Sequence, residues 1–436
     1  MSNVEIGFAA LGILFALLAM RIPIGLSLIL VSFGGLWVLI GWRGAFGLIG
    51  IVPYKFTANW VLSSIPMFLL MGYVAYHAQL TKGLFQAARV WLGSLPGGLA
   101  ISAVMGSSIF AAVTGSSLAC TAAMGRIAVP EMLKSKYHPE LATGTVAIAG
   151  TIGALIPPSI LLILYGVIAG QPVPHLFLAG LGVGIISAVG YVVVILVRVA
   201  INPKVAPAVR TDYTWGDRFA ALGDTWPILL VMFGVFAGLF GGVFTATEAG
   251  ALGAFLACIV GLAKRTLTWR KFRAAALECL LTTSALIIIG IGASLFTRFL
   301  AISGVGTAIS SMILGVSDHA IVILLLIVVL YLLVGCFLEP IGALLLTLPI
   351  VLPIVTKGGY DMIWFGLLLV KLLEIGMVTP PIGMNVFVMK GVIGDQVKVS
   401  SIFKGVFWFI LMDLFIVAAM IAFPEGVLWL PNLVLD

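Results

Sequence analysis

Charge is what this chain has least of. Asp, Glu, Lys and Arg make up 9% of its 436 residues, against about 25% in ordinary soluble domains. Three soluble domains of about 150 residues each could not be solvated by 23 basic and 16 acidic side chains. Histidine and cysteine are equally sparse, at four each. His77, His138, His175 and His319 lie far apart, and no HExxH, GxSxG, GxGD pair or CxxC spacing occurs, so the signatures of zinc hydrolases, serine hydrolases, intramembrane aspartyl proteases and metal ribbons are missing. No enzyme is expected. Cys120, Cys258, Cys279 and Cys336 stand singly in apolar stretches and read as packing residues. The net charge of +7 comes without an aromatic-rich basic stripe, which argues against nucleic acid and for basic cytoplasmic loops.

What is abundant is apolar surface, 62% of residues, together with 51 glycines, as expected where helices pack closely or break inside a bilayer. The solvent is the lipid bilayer, and the chain reads as an all-α polytopic membrane protein. Its first apolar stretch starts at Val4 beside Glu5, lacks a basic leader and runs into Arg21-Ile22-Pro23, so it reads as a mature membrane segment. Hydropathy with spans of about 17–25 residues places apolar segments at 4–20, 22–41, 62–78, 97–112, 140–170, 174–200, 224–242, 247–263, 272–297, 320–335, 362–390 and 402–423. Two further pieces, 113–134 and 336–357, are too rich in Gly, Ser and Pro for plain spans and read as re-entrant hairpins. Each precedes an unusually long, broken segment.

The chain repeats itself. Lys134, Tyr137, Ile152, Gly153, Pro157 and Pro158 recur as Lys357, Tyr360, Ile375, Gly376, Pro380 and Pro381 at a constant offset of 223. One repeat therefore covers 1–223 and the other 224–436. Basic loops orient them: 264–273 carries Lys264, Arg265, Arg270, Lys271 and Arg273, and 198–218 carries Arg198, Lys204, Arg210 and Arg218 against two Asp, which places both in the cytoplasm. With Lys390, Lys398 and Lys404 also inside, the second hairpin opens opposite to the first, an inverted repeat. That orientation requires an odd number of crossings between 273 and 336, where hydropathy sees two, and the same conflict recurs between 41 and 113. The amphipathic stretch 82–91 reads as a horizontal connector.

The first hairpin reads VTGSSLACTAAMGRIAVP, with Thr114, Gly115, Ser116 and Ser117 at its tip. Hydroxyls and carbonyls beside Gly can coordinate a hard cation such as sodium, although small residues also serve close packing. In GTIGALIPPSILLILYG, Pro157-Pro158 removes two backbone donors from an apolar run. Helix cannot continue there, which frees the carbonyls of Gly153 to Ile156 for an ion. The half-helix from Ser159 aims its positive end at an anion. The same break recurs at Thr379-Pro380-Pro381 in EIGMVTPPIGMNVFVMKG, and two breaks at matching repeat positions point to a transporter binding site rather than to chance kinks. Glu339, in GCFLEPIGA, corresponds to Ser116 by the offset and is expected either to bind a cation or orient the hairpin, or to serve a structural hydrogen bond. Lys371 and Glu374, spaced i, i+3, are expected to pair with each other. Thr245, Thr247 and Glu248 read as a capped helix start, and Gly234, Gly238 and Gly242 as a close helix contact.

Taken together, TGSSLACTAAMGRIAVPEM, GTIGALIPPSILLILYG, FTATEAGALGA and EIGMVTPPIGMNVFVMK resemble the large membrane subunit of tripartite ATP-independent periplasmic (TRAP) transporters, the DctM-like family, over essentially the whole chain. The family usually shows TPTEA where this chain has Thr245-Ala246-Thr247-Glu248-Ala249. The resemblance implies an elevator-type carrier of a bacterial inner membrane, in which a mobile domain of two hairpins and two broken helices moves against a scaffold. It implies a sodium gradient as the driving force and one sodium site between Ser116, Ser117 and the Gly153–Pro157 break, with Ile156 among its carbonyls. A second site lies between Gly335 to Glu339 and the break from Gly376 through Thr379 to Pro380. Substrate is placed between the tips, near Ser116, Ser117, Ser159, Glu339 and Pro381. The implied partners are a small four-helix, DctQ-like membrane subunit and a DctP-like periplasmic binding protein that delivers an organic acid such as a C4-dicarboxylate or sialic acid. Since no segment is left over for either, both are expected as separate chains. The alternative is a stand-alone sodium-coupled dicarboxylate or anion carrier, which would need no binding protein.

Overall fold

The computed structural model describes residues 2–207, 213–314 and 319–435, and its regular structure is helical throughout. The first half holds α1 (Asn3–Ala19), α2 (Ile24–Thr57), α3 (Ser64–His77), α4 (Lys82–Leu92), α5 (Gly98–Thr114), α6 (Ser117–Lys134), α7 (Pro139–Ala149), α8 (Ile160–Ala169) and α9 (Val173–Ile201). After α10 (Trp215–Gly223) come α11 (Trp226–Phe240), α12 (Ala246–Ala263), α13 (Trp269–Ser303), α14 (Val305–Leu314) and α15 (Ala320–Phe337). The chain closes with α16 (Pro340–Lys357), α17 (Met362–Gly376), α18 (Met384–Ile393), α19 (Val399–Ala422) and α20 (Pro424–Leu435). Eight of these helices, among the described residues, are long and apolar enough to cross a membrane. Arg210, one of the loop charges used for orientation, lies outside the described residues.

Each hairpin is larger than its sequence suggests. The apolar segment 97–112 is the first limb of a helical hairpin, α5 and α6, and 320–335 is the first limb of the second, α15 and α16. In chain order α3 precedes the first hairpin and α13 the second, with α4 and α14 as the short connectors between. Helices α10 and α20 and the continuation of α2 beyond residue 41 went unpredicted. At Gly41 (φ 78°, ψ 168°) the chain turns within α2, a conformation that glycine alone adopts freely, and an arm bearing Trp42, Phe46 and Tyr54 follows. In α10 the signal was polar and local, a capping box between Thr214 and Asp217.

The helices fall into two packed groups. Long outer helices α1, α2, α3, α11, α12 and α13 lie against one another, and α5 to α9 pack with α15 to α19 around α7 and α17. In α17 every residue from Trp364 to Gly376 is buried, and so is every residue of α7 from Leu141 to Ala149. A helix buried on all sides is surrounded by others, and small residues decide how closely. A Cβ on Gly405 would stand 1.9 Å from the Glu140 carbonyl oxygen, and one on Gly144 2.4 Å from the Gly405 backbone, so α7 and α19 cross at backbone contact. The glycine series in α11 is not one such stripe. Gly234 meets Leu256 of α12, Gly238 backs onto Phe244, and Gly242 sits at φ +70° with nothing within 4 Å.

Helix bounds recur at the repeat offset: α6 (117–134) and α16 (340–357) coincide after adding 223, and α7 and α17 start at 139 and 362.

Candidate functional site

The first tip is built on one left-handed residue. Helix α5 ends at Thr114, Gly115 takes φ 61°, ψ 17°, and Ser116 turns extended to cap α6, its hydroxyl accepting from the Ala119 amide at 3.3 Å. The second tip has no glycine. Leu338 and Glu339 are extended, and Pro340 starts α16, where proline costs no hydrogen bond. Ser116 and Glu339 thus occupy the same N-cap position one repeat apart.

Both tips meet at a single cavity of about 360 Å³. It is lined by Thr114 to Ala119 of the first tip, by Glu339, Pro340 and Ile341 of the second, by Ala154, Ile160 and Leu161 beside the first break, and by Glu374 and Met377 at the second. Tyr73 and Tyr76 of α3 and Glu278 and Thr282 of α13 close it from the outer group. The Tyr73 hydroxyl lies 2.8 Å from that of Thr282, and Glu278 Oε1 lies 3.1 Å from His77 Nε2. Three helix amino ends, those of α6, α8 and α16, reach the lining, and their free amides favour an anion.

The side-chain charge there has the opposite sign. Glu278, Glu339 and Glu374 line the cavity, and no Lys, Arg or His among the described residues does so. Glu374 is 2% exposed and accepts a hydrogen bond from Ser117 Oγ at 2.6 Å. It does not pair with Lys371. Lys371 Nζ instead lies 2.6 Å from Asp413 Oδ1 and 3.0 Å from Ser187 Oγ, and the Tyr191 hydroxyl donates to Asp413 Oδ2 at 2.8 Å. The i, i+3 spacing put Lys371 and Glu374 near one face, but α19 offered lysine a better partner. Glu374 is left facing the cavity.

Other expected site residues are divided. Ser116, Ser117 and Glu339 line the cavity. Ser159 is fully buried and caps α8, its hydroxyl donating to the Ala154 carbonyl and accepting from the Leu162 amide at 3.3 Å. Gly153 packs under the first hairpin, where a Cβ would lie 2.2 Å from Ala111 Cβ. Ile156 turns toward Gly184 of α9. Gly376 lies on Gly335, so close that a Cβ would stand 2.4 Å from the Gly335 carbonyl carbon. The Thr379 hydroxyl donates back to the Ile375 carbonyl at 2.6 Å. Both breaks contain a cis proline bond, Pro157-Pro158 and Pro380-Pro381, yet Pro157 and Pro158 are buried whereas Pro380 and Pro381 are exposed.

Oxygen donors suited to a hard cation are present at the breaks. No backbone amide among the described residues donates to the carbonyls of Gly153, Leu155 or Ile156. Buried Thr121 Oγ1, Thr145 Oγ1 and Asn385 Oδ1 have no hydrogen-bond partner among the described residues. Thr145 lies on α7; Thr121 abuts Gly150 just after it; and Asn385 donates through Nδ2 to the Ala147 carbonyl at 3.3 Å. This oxygen-only set fits Na+ and not a transition metal. Sequence reasoning missed Thr121, Thr145 and Asn385, because a buried hydroxyl or amide left without a partner carries no local pattern. It also missed the wall of α3 and α13, for which Glu278 was the one available signal.

Residues 11–426 match the family model for the tripartite ATP-independent periplasmic transporter, DctM component. The sialic acid TRAP transporter large permease protein SiaM of Vibrio cholerae is 32% identical over 434 residues, 98% of each chain. The C4-dicarboxylate TRAP transporter large permease protein DctM of Pseudomonas aeruginosa is 31% identical over 400 residues, 92% of each. Among solved structures, the Alcanivorax borkumensis YdaH transporter shares the fold, with a TM-score of 0.65 at 15% identity over 89% of this chain and 91% of that one.

Proposed function

This chain belongs to the DctM component family, the large permeases of TRAP transporters in bacterial inner membranes, and from that premise we propose that it imports an organic acid anion driven by a sodium gradient. The observation that carries this reading is the charge of the cavity. Three helix amino ends favour an anion there, but among the described residues the ionic side chains that line the cavity are all glutamates. An anionic substrate entering beside Glu374 needs cations to enter with it, because uncompensated like charges in a buried site are costly. The partnerless oxygens of Thr121, Thr145 and Asn385 and the carbonyls of the first break supply hard ligands for Na+.

The two repeats, 1–223 and 224–436, are inverted, and the mobile unit comprises α5 to α8 with α15 to α18, moving against the outer group. Unequal exposure of the two breaks supports this, since one repeat's prolines are covered while the other's are open, as in a carrier with access on one side. Relatives named for sialic acid and C4-dicarboxylates support a carboxylate as the substrate, and one named for isethionate widens the class to organic anions that include sulfonates. A DctQ-like small membrane subunit and a DctP-like periplasmic binding protein complete the system, and the chain does no chemistry on its cargo.

The test is a tagged pull-down from native membranes in mild detergent, with and without periplasmic extract, identified by mass spectrometry. A small four-helix membrane protein joined by a soluble binding protein is expected. A chain that emerges alone, yet supports sodium-driven uptake, would contradict the tripartite reading.

A further inference from the structure

Away from the transport cavity, a groove of about 290 Å³ opens between the carboxyl end of α9 and the first half of α19. Its walls are apolar and face outward: Val193, Val197 and Ile201 are 42%, 49% and 74% exposed. At its polar end stands Arg198, whose side chain is only 11% exposed. The guanidinium sits 5.8 Å from the centre of the Trp408 ring, and Nη2 is 4.0 Å from Glu140 Oε2. Arg198 Nη1 is buried and has no hydrogen-bond partner among the described residues, an arrangement that costs free energy unless a ligand completes it. Exposed Lys404 lies one helical turn before Trp408 and so shares its face.

An arginine over an indole at the end of a membrane helix marks the interface between acyl chains and headgroups. Glu140 lies as a counter-ion at 4.0 Å from one edge of the guanidinium, with His138 Nδ1 3.9 Å from the same carboxylate, and the other edge is left for an anion. We propose that this groove binds an anionic phospholipid, its headgroup phosphate on Arg198 and Lys404 and an acyl chain along Val193, Val197 and Ile201. The apolar walls are continuous with the polar end, which suits a lipid better than free phosphate. The inference needs only that the chain lies in a membrane, and does not depend on what it transports.

The experiment uses purified full-length chain stripped of lipid, offered equal amounts of phosphatidylglycerol and phosphatidylcholine, and read by native mass spectrometry and thermal unfolding. Phosphatidylglycerol is expected to be retained preferentially and to raise the Tm. Arg198→Gln should cut the preference about fivefold, the worth of one cation near an anionic surface. If that variant does not fold, Lys404→Gln, altered at an exposed side chain, serves the same purpose and should also cut it. Inorganic phosphate should leave the Tm unchanged. Equal retention of both lipids, or a preference that survives both substitutions, overturns the proposal. Stabilisation by inorganic phosphate would also overturn it, in favour of a free-anion site.

Discussion

Glu374 is the side chain on which the proposed coupling turns. It is the buried carboxylate at the cavity, held by Ser117 from a position 257 residues away. Replacing it with Gln keeps an acceptor for the Ser117 hydroxyl but removes the charge that a cation would neutralise. Glu374→Gln is therefore expected to raise the sodium concentration for half-maximal uptake about tenfold or more, equivalent to about 1.4 kcal/mol, with expression unchanged. An unaltered sodium dependence would remove Glu374 from the coupling. The Lys371 and Asp413 pair is a separate matter, since it is sealed among α9, α17 and α19. Asp413→Asn leaves a lysine buried without its counter-ion and should lower stability by about 3–5 kcal/mol, whereas Lys371→Met combined with Asp413→Leu should recover most of that loss in thermal unfolding. The Gly-Ser-Ser tip was legible because small hydroxyl residues at a predicted reversal are a local pattern. The partners of Glu374 and Lys371 were not, because spacing along one helix says which face a side chain takes and nothing of what arrives there from another helix.

At the scale of elements, the hairpins and breaks depend on backbone approach. A Cβ on Gly376 would press on the Gly335 backbone, so Gly376→Ala should destabilise by about 1–3 kcal/mol through overpacking. Gly335→Ala should cost less, since its nearest contacts are 3.1 and 3.2 Å. Denaturation in detergent would rank them. The start of α12 behaves differently. Thr245 caps it and Glu248 returns the hydrogen bond to the Thr245 amide, so Ala246 is the first helical residue, where proline is tolerated. Ala246→Pro, which restores the family's usual residue, should leave the Tm unchanged or raise it. Thr245→Ala should cost about 1 kcal/mol. This capping was readable from Thr-x-x-Glu spacing alone. The hairpin limbs were not distinguishable from spans, because α5 and α15, at 17 and 18 residues, are as long as a crossing helix, and hydropathy carries no record of whether a helix reverses at Gly115 or at Glu339-Pro340 or passes on.

For the molecule as a whole, the constant offset between repeats is visible both in the sequence and in the helix bounds. It foretold the pairing of hairpin with break. What it could not foretell is asymmetry. Matching Pro-Pro breaks end up in unequal surroundings, one covered and one open, because packing of the two groups of helices decides exposure and identical motifs do not. Nor could it show that helix amino ends and three glutamates share one cavity, which is a property of assembly. The measurement that tests the account most directly is uptake of a labelled organic acid into proteoliposomes, with the chain, its small membrane subunit and its loaded binding protein, under an imposed sodium gradient. Uptake is expected only with sodium directed inward and with all three components, and it should carry sodium with it. Equal uptake without sodium would contradict cation compensation of the cavity, and with it the central claim.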